Sequence, residues 1–282
     1  GMQIQVERID LRFPLNLLVR GVEVIQQPDT LLSLESLNVR VQAWPLLKGK
    51  VEVDEVTLSQ VAVNSANLIE GMQIKGVLGR FFLQSHGVDL SNETAVVNRT
   101  ELSDTHIQLL MTDTTTTPKD TTASAPVNWK VNLHQLKLKN VSFGMKLPAD
   151  SMKMAAYIGE ATIDDAKADL KNQFYGLKQF LLSGASASYD TGEAQPSEGF
   201  DASHMAVRNI RIGLDSLLYE GRNMNAVIRE ITMEERSGLS ITSLTGRLFS
   251  NDSIIRIPEL KLQTPHSEID LSAQTYWELV NI

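Results

Sequence analysis

The sequence predicts a mainly β protein: an elongated, curved or twisted, antiparallel-rich sheet of repeated short strands forming an apolar groove, with one or two short helical turns. A repeated phrase is the first reason. Over residues 51–63, VEVDEVTLSQVAV, apolar residues alternate, skip one extra place and alternate again; residues 131–143, VNLHQLKLKNVSF, repeat this position for position. The same order (apolar, polar, apolar, two polars, apolar, polar, apolar) fits 4–11, 32–39 and 255–262, and fits 205–212 with one lapse at Ala206. With 42% hydrophobic residues, a random scatter would give about one strict copy, against five found. The second reason is the period. Alternation over four to eight residues rich in Val, Ile and Leu marks strands with one face buried, whereas the spacings of three and four that a helix needs occur only sporadically. Third, the breaks between copies hold Gly, Pro and small polar residues, the punctuation of turns.

The double polar step has a structural consequence. In a regular strand it would throw the second apolar pair onto the opposite face. Either a bulge absorbs the extra residue, or the strand bends across to a second layer, and both give a curved sheet.

Taken in order, residues 1–63 hold three copies, separated by breaks at 26–30 and 44–50. In the second break, WPLLKGK, Pro45 suits a helix start and Gly49 its stop, which predicts a single helical turn. Residues 67–111 are less regular, and glycines at 71, 76, 79 and 87 predict bends between short strands. Leu102, Ile107 and Leu109 resume the strand pattern. TDTTTTPKDTTASAP, residues 112–126, has little to bury and reads as an exposed loop between lobes. The domain reading is therefore a first β lobe over 1–111, the loop over 112–126, and a second β lobe over 127–282.

The second lobe restarts with the copy at Val131, and Ala161, Ile163, Ala166 and Ala168 give a fainter one. SMKMAAYI, residues 151–158, fits a helix as well as a strand, because Met and Ala favour helix. DTGEAQPSEG, residues 190–199, is a second polar loop, and everything after Met205 reads as strand and turn. Gly1 before Met2 reads as a cleavage scar, and the chain enters a strand pattern at Ile4 without a lead-in, so it is read as a fragment of a larger protein.

Composition narrows the function. A net charge of -8, from 34 acidic and 26 basic residues, argues against nucleic acid as a partner, and no basic run contradicts it. The absence of cysteine excludes disulfides, Cys-zinc sites and thiol catalysis. No window approaches 18 uninterrupted apolar residues. The histidines, at 86, 106, 134, 204 and 266, are far apart, and only Asp201 with His204 forms a close pair, for which a loop hydrogen bond is the plain reading. Carboxylate pairs at Asp54-Glu55, Asp164-Asp165 and Glu234-Glu235 read as solvated. Gly76 and Gly79 lack the Lys and Ser/Thr of a phosphate loop, and GASAS, 184–188, lacks the last glycine of a nucleophile elbow. The expectation is a non-enzyme with no catalytic residues, no metal and no cofactor.

The apolar stripe itself admits two readings. It is a packed core, or it is the lining of a trough left open as a site for a ligand or partner. A trough lined by aliphatics without a convergent polar anchor suits acyl chains. Its candidate lining is Val51, Val53, Val56 and Leu58 from one copy, and Val131, Leu133, Leu136 and Leu138 from the other.

The order LRFPLNLLVRGVEV, then DTLLSLESLNVRVQAWPLLKGKVEVDEVTLSQVAVN, is similar to the amino-terminal region of the TamB and AsmA-like envelope proteins, in which a Pro-Leu-Leu turn separates such strands. The resemblance is clearest over 4–64 and is echoed around 127–147 and 204–262. It implies a periplasmic protein anchored in the bacterial inner membrane by an amino-terminal helix that this chain lacks. It also implies a U-sectioned sheet whose apolar groove passes phospholipid toward the outer membrane, or which assists assembly of outer-membrane barrels with a barrel partner docking through regions absent here. An adhesin or carbohydrate-binding sandwich is the remaining alternative, disfavoured because Trp44, Trp129 and Trp277 are scattered.

Overall fold

The computed structural model describes residues 1–13, 15–46, 52–65, 68, 71–89, 92–111, 128–192 and 195–279. The first half holds β1 (Gln3–Arg12), β2 (Asn16–Gln26), β3 (Asp29–Val41), β4 (Val53–Asn64), β5 (Met72–Asp89) and β6 (Thr94–Met111). The second half holds β7 (Lys130–Leu147), β8 (Met152–Asp169), β9 (Phe174–Leu177), β10 (Gln179–Asp190), β11 (His204–Glu220), β12 (Asn223–Glu235), β13 (Ser240–Ser250), β14 (Ile254–Gln263) and β15 (Glu268–Tyr276). One helical turn, α1 (Ala43–Leu46), and two 3-10 turns, η1 (Pro148–Asp150) and η2 (Trp277–Leu279), complete the described elements.

All strands belong to one 15-stranded sheet in which sequence neighbours pair. Every pairing is antiparallel except β6 with β7, which run parallel. β9 and β10 keep the same register against β8 on either side of Lys178, so they are one strand interrupted at that residue. The proposed boundary at 112–126 lies outside the described residues, and the strands that flank it, β6 and β7, are hydrogen-bonded neighbours.

Register lines up the phrase across the sheet. One row of paired residues starts at Ile9 on β1, passes Leu37, Leu58, Leu102 and Leu138, and ends through Leu182, Ile231 and Leu262 at Ile269 on β15. It is apolar on every strand it crosses. A second row runs from Val6 through Leu34, Val61, Leu78, Thr105 and Val141 to Ile158.

Between the two rows lies the double polar step, and β2 to β8 cross it by neither expected device. The pairs Leu34 with Val61 and Ser36 with Ser59 keep one register across it, so no bulge intervenes. Instead the strands carry residues in the left-handed region: Gly21 (φ 60°), Gln60 (49°), Asp104 (51°) and Asn140 (53°), followed on β10 by Gly184 (61°). Pairing places these side by side, with Gly79 between Gln60 and Asp104, and Gly159 between Asn140 and Gly184. A left-handed residue breaks the pleat and bends the strand, so the line forms a crease across the sheet. Buried residues flank it on both sides, Thr105 and Ala185 on one and Ala161 on the other, whereas Gln60 and Asp104 on the line are exposed. Both apolar rows therefore turn toward the same face of the sheet. β11 to β15 cross the step by register shifts, as at Ile228/Ile231 and Ile257/Leu260, which is the bulge the sequence predicted.

One open choice is decided and one expectation is corrected. SMKMAAYI lies in strand, within β8 from Met152 onward, because pairing with β7 and β10 on both sides outweighs helix propensity. The glycines of 67–111 do not break it into short strands, since β5 and β6 are 18 residues each. The helical turn expected in the WPLLKGK break forms as α1, Ala43–Leu46, and residues 47–50 lie outside the described set.

Among the described residues no packed interior forms. Among the described residues the buried hydrophobic ones are Leu31, Ala95, Ala161 and Ala185, and none is large and aromatic. The accessible surface is 18272 Å², against about 12,000 Å² for a compact chain of this mass.

Candidate functional site

The structure brings the candidate lining residues onto neighbouring rows. Leu58 and Leu138, from different copies, share the long row through Phe81 and Leu102. Val56 and Leu136 share the next one through Leu83 and Thr100. Leu133 pairs with Val97, Val97 with Ser85, and the Ser85 hydroxyl donates to the Val53 carbonyl. Val131 pairs with Ala95. All seven described candidates are half-buried, and Val51 lies outside the described residues.

The path that these rows make is long. Fourteen strands in unbroken order, spaced about 4.8 Å apart, give the apolar row a length of about 60 Å perpendicular to the strands. Each residue on it sits in a hydrogen-bonded strand, so the lining is stiff along its whole course.

Two recesses at one end of the strands escaped sequence reasoning. The larger, about 880 Å³, is lined by β6, β7, β8, β10, β11 and the β12–β13 hairpin, including Ile107, Phe143, Ala155, Ala156, Ser188 and Leu239. Small side chains on β8 and β10 make room there between bulkier neighbours. The smaller, about 490 Å³, adjoins it through shared lining residues Gln108, Gly144, Ala155 and Ser188. Lys75, Leu110, Lys146, Lys153 and Asp190 of its lining share one face of the sheet by strand alternation, whereas Leu109, Met145 and Met154 point to the other.

The polar candidates resolve into structural roles. Asp201 accepts from the backbone N–H groups of Ser197 (3.0 Å) and Ser203 (2.9 Å) and lies 3.0 Å from His204 Nδ1. The Ser197 and Ser203 amides, with His204 behind them, hold its carboxyl well below the usual range. This is a loop clamp, since every near partner of the carboxylate belongs to the loop or its first strand residue. Asp54 accepts from Gln42, Glu55 from Arg40, Asp164 from Gln135, and Asp165 lies 3.2 Å from His134. Glu234 binds Arg208 and Asn209 at 3.0 Å each. Glu235 departs from the solvated expectation: it is 7% exposed and accepts from the N–H groups of Ser237 (2.7 Å) and Ala206 (3.3 Å). Contact with Ser237 is the main cause of its lowered carboxyl pKa. Among the described residues no cluster of three or more His, Asp or Glu could hold a metal, and no helix is long and apolar enough to cross a membrane.

No family model matches the chain, and no curated protein matches its sequence significantly.

Proposed function

We propose that the chain is a non-enzymatic segment of a lipid-carrying envelope protein of the TamB and AsmA-like kind, and that its concave apolar face holds phospholipid acyl chains in transit between membranes of a bacterial periplasm. The observation that carries the reading is the row of apolar side chains that crosses fourteen strands with no packed layer over it among the described residues. Contiguous apolar surface on this scale is not left to water without a function, because its burial is worth about 25 cal/mol per Å². Acyl chains match it: they are apolar along their length and need no polar anchor in the trough.

The test is native mass spectrometry of the protein after incubation with phospholipid vesicles, followed by lipid extraction. Wild type retains phospholipid, Leu58→Asp and Leu138→Asp lose it with the β circular dichroism spectrum intact, and Asn132→Asp, on a polar position of the same strand as Leu138, retains it. A clean lipid-free mass for wild type, or equal retention in all variants, refutes the reading.

A second reading, a scaffold for outer-membrane protein assembly acting by β-augmentation, is favoured by β1. This strand pairs with β2 on one side only among the described residues, has no Lys or Pro, and leaves Ile4, Ile9 and Leu11 more than 60% exposed (67%, 63% and 72%), although Glu7, Arg8, Asp10 and Arg12 depart from the uncharged edge that this reading asks for. Its test is capture of a β-strand peptide along β1, read as hydrogen-exchange protection of Gln3–Arg12. Unchanged protection at saturating peptide removes it.

A further inference from the structure

We infer that Met145, Met152 and Met154, at one end of β7 and β8 on the face that carries the apolar rows, form a thioether site for a soft monovalent metal ion, Cu(I). The site is separate from the rows beside the crease and stands whether or not they carry lipid.

Six of the chain's nine methionines gather at this end of the sheet. Strand alternation from Leu78 puts Ile74 and Met72 on the apolar face. Pairing then defines two adjacent rows. One runs through Ile74, Leu109, Met145, Met154, Tyr189 and Met205. In the other, Met72 pairs with Met111, and Leu147 with Met152. Lys146 and Lys153, which stand next to these methionines in sequence, face the opposite side.

Three of the thioethers can reach one point. Met145 and Met154 are direct cross-strand partners, with Cβ atoms about 4.5–5.5 Å apart. Met152 lies two residues from Met154 along β8 and on the same face, about 6.6 Å away, and diagonal to Met145 at about 7–8 Å. An unbranched side chain with three rotatable bonds spans such gaps. Met154 is 38% exposed, and Met145 and Met152 are half-buried, so an ion can enter from solvent.

Packing alone does not call for sulfur here. On the same face of β1 to β4, the row of Ile4, Val24, Leu32 and Val63 and the row of Val6, Val22, Leu34 and Val61 hold no methionine. The donor set also selects the metal. Between β5 and β8, the two methionine rows and the next one, through Ile107, Phe143 and Ala156, contain no carboxylate, imidazole or amine, and the chain has no cysteine. Zinc, magnesium and calcium need nitrogen, oxygen or thiolate ligands, whereas thioethers suit Cu(I).

The experiment is native mass spectrometry of the whole chain titrated with Ag(I), which matches Cu(I) in charge and softness and does not change oxidation state, in chloride-free buffer. Wild type should retain one Ag(I) in preference to Zn(II). Retention should be equal at about pH 5.5 and about pH 7.5, because a thioether has no proton to lose, whereas imidazole and thiolate ligands must be deprotonated. Met145→Leu/Met154→Leu should weaken retention at least ten-fold, and Met224→Leu/Met233→Leu, elsewhere in the sheet, should leave it unchanged; leucine for methionine conserves volume, so circular dichroism of both should match wild type. In wild type with labelled methionine methyls, Ag(I) should shift the Met145, Met152 and Met154 resonances first, and this spectrum decides if the double variant does not fold. Each of four results overturns the site: no retention at micromolar Ag(I), retention that survives the first double substitution, equal retention of Zn(II), or loss at the lower pH. Shifts spread over Met2, Met224 and Met233 overturn it as well.

Discussion

Replacing Gly79 with alanine tests whether the line of left-handed residues shapes the sheet. Gly79 stands between Gln60 and Asp104, and a Cβ built on it would lie 2.7 Å from Asp104 Cβ, 2.9 Å from the Asp104 carbonyl oxygen and 3.1 Å from the Ser103 carbonyl oxygen. Two of these atoms are backbone, so relief requires the crease itself to open. Overpacking of this kind costs about 1–3 kcal/mol, offset by about 0.4–1 kcal/mol from the smaller entropy of the unfolded chain. The expected net loss is about 1–2 kcal/mol. Gly144 is the control: it too is in a strand, but its nearest neighbours are 3.9 Å away and its φ is not positive, so Gly144→Ala should gain about 0.5 kcal/mol. The two variants then differ by about 2 kcal/mol, which at a urea m-value of roughly 2 kcal/mol/M separates their midpoints by about 1 M. Urea titration followed by circular dichroism reads this directly. Coincident midpoints, or a Gly79→Ala protein more stable than Gly144→Ala, would refute the crease as a close-packed, shape-determining feature.

Three further outcomes follow from the same geometry. Gln60→Val should lose about 1–2 kcal/mol, since a β-branched residue is poorly tolerated at φ 49°, whereas Ser59→Val beside it should stay within about 0.5 kcal/mol; thermal melts of the pair check this. Asp201 has a folded-state pKa below its ordinary 3.8, so its contribution is fully present above that value and is lost as pH falls from there toward the folded-state value; Asp201→Ala should flatten the dependence of stability on pH below about 4, and an unchanged slope would count against the clamp. Ser250, 2% exposed, donates its hydroxyl to the Arg222 carbonyl; Ser250→Ala strands that acceptor and should cost about 1–2 kcal/mol, read by urea titration.

The rows were legible in the sequence because the phrase places apolar residues at fixed intervals and hairpin pairing does the rest. The crease was not. Asp104 and Asn140 are residue types that tolerate the left-handed region, yet Gln60 is not, and only its position between Glu35 and Gly79 shows why one strand bends there. Gly79, which suggests a break, and Gly159 are spacers that admit the neighbouring bends. The Met and Ala residues of 151–158 point to helix in isolation and yield to two flanking strands. Of the candidate site, the aliphatic lining was readable from the phrase. The two recesses were not, because glycine, alanine and serine leave no signal in a sequence, and Lys75 meets Lys146 and Lys153 only through pairing of distant strands.

A property of the phrase explains how one sheet holds both pairing directions. Apolar, polar, apolar, two polars, apolar, polar, apolar reads the same forwards and backwards, so a copy aligns its apolar positions with a neighbour whether the two run parallel or antiparallel. β7 shows both cases: Leu133, Leu136, Leu138 and Val141 meet Val97, Thr100, Leu102 and Thr105 on parallel β6, and Ala166, Ile163, Ala161 and Ile158 on antiparallel β8. A strictly alternating strand has the same freedom but no fixed register, because a slip of two residues restores the pattern. The double step removes that degeneracy, since a slip of two would set a polar pair against an apolar residue. The interruption that bends each strand thus also pins its register, and the apolar path stays continuous across the single parallel junction between β6 and β7.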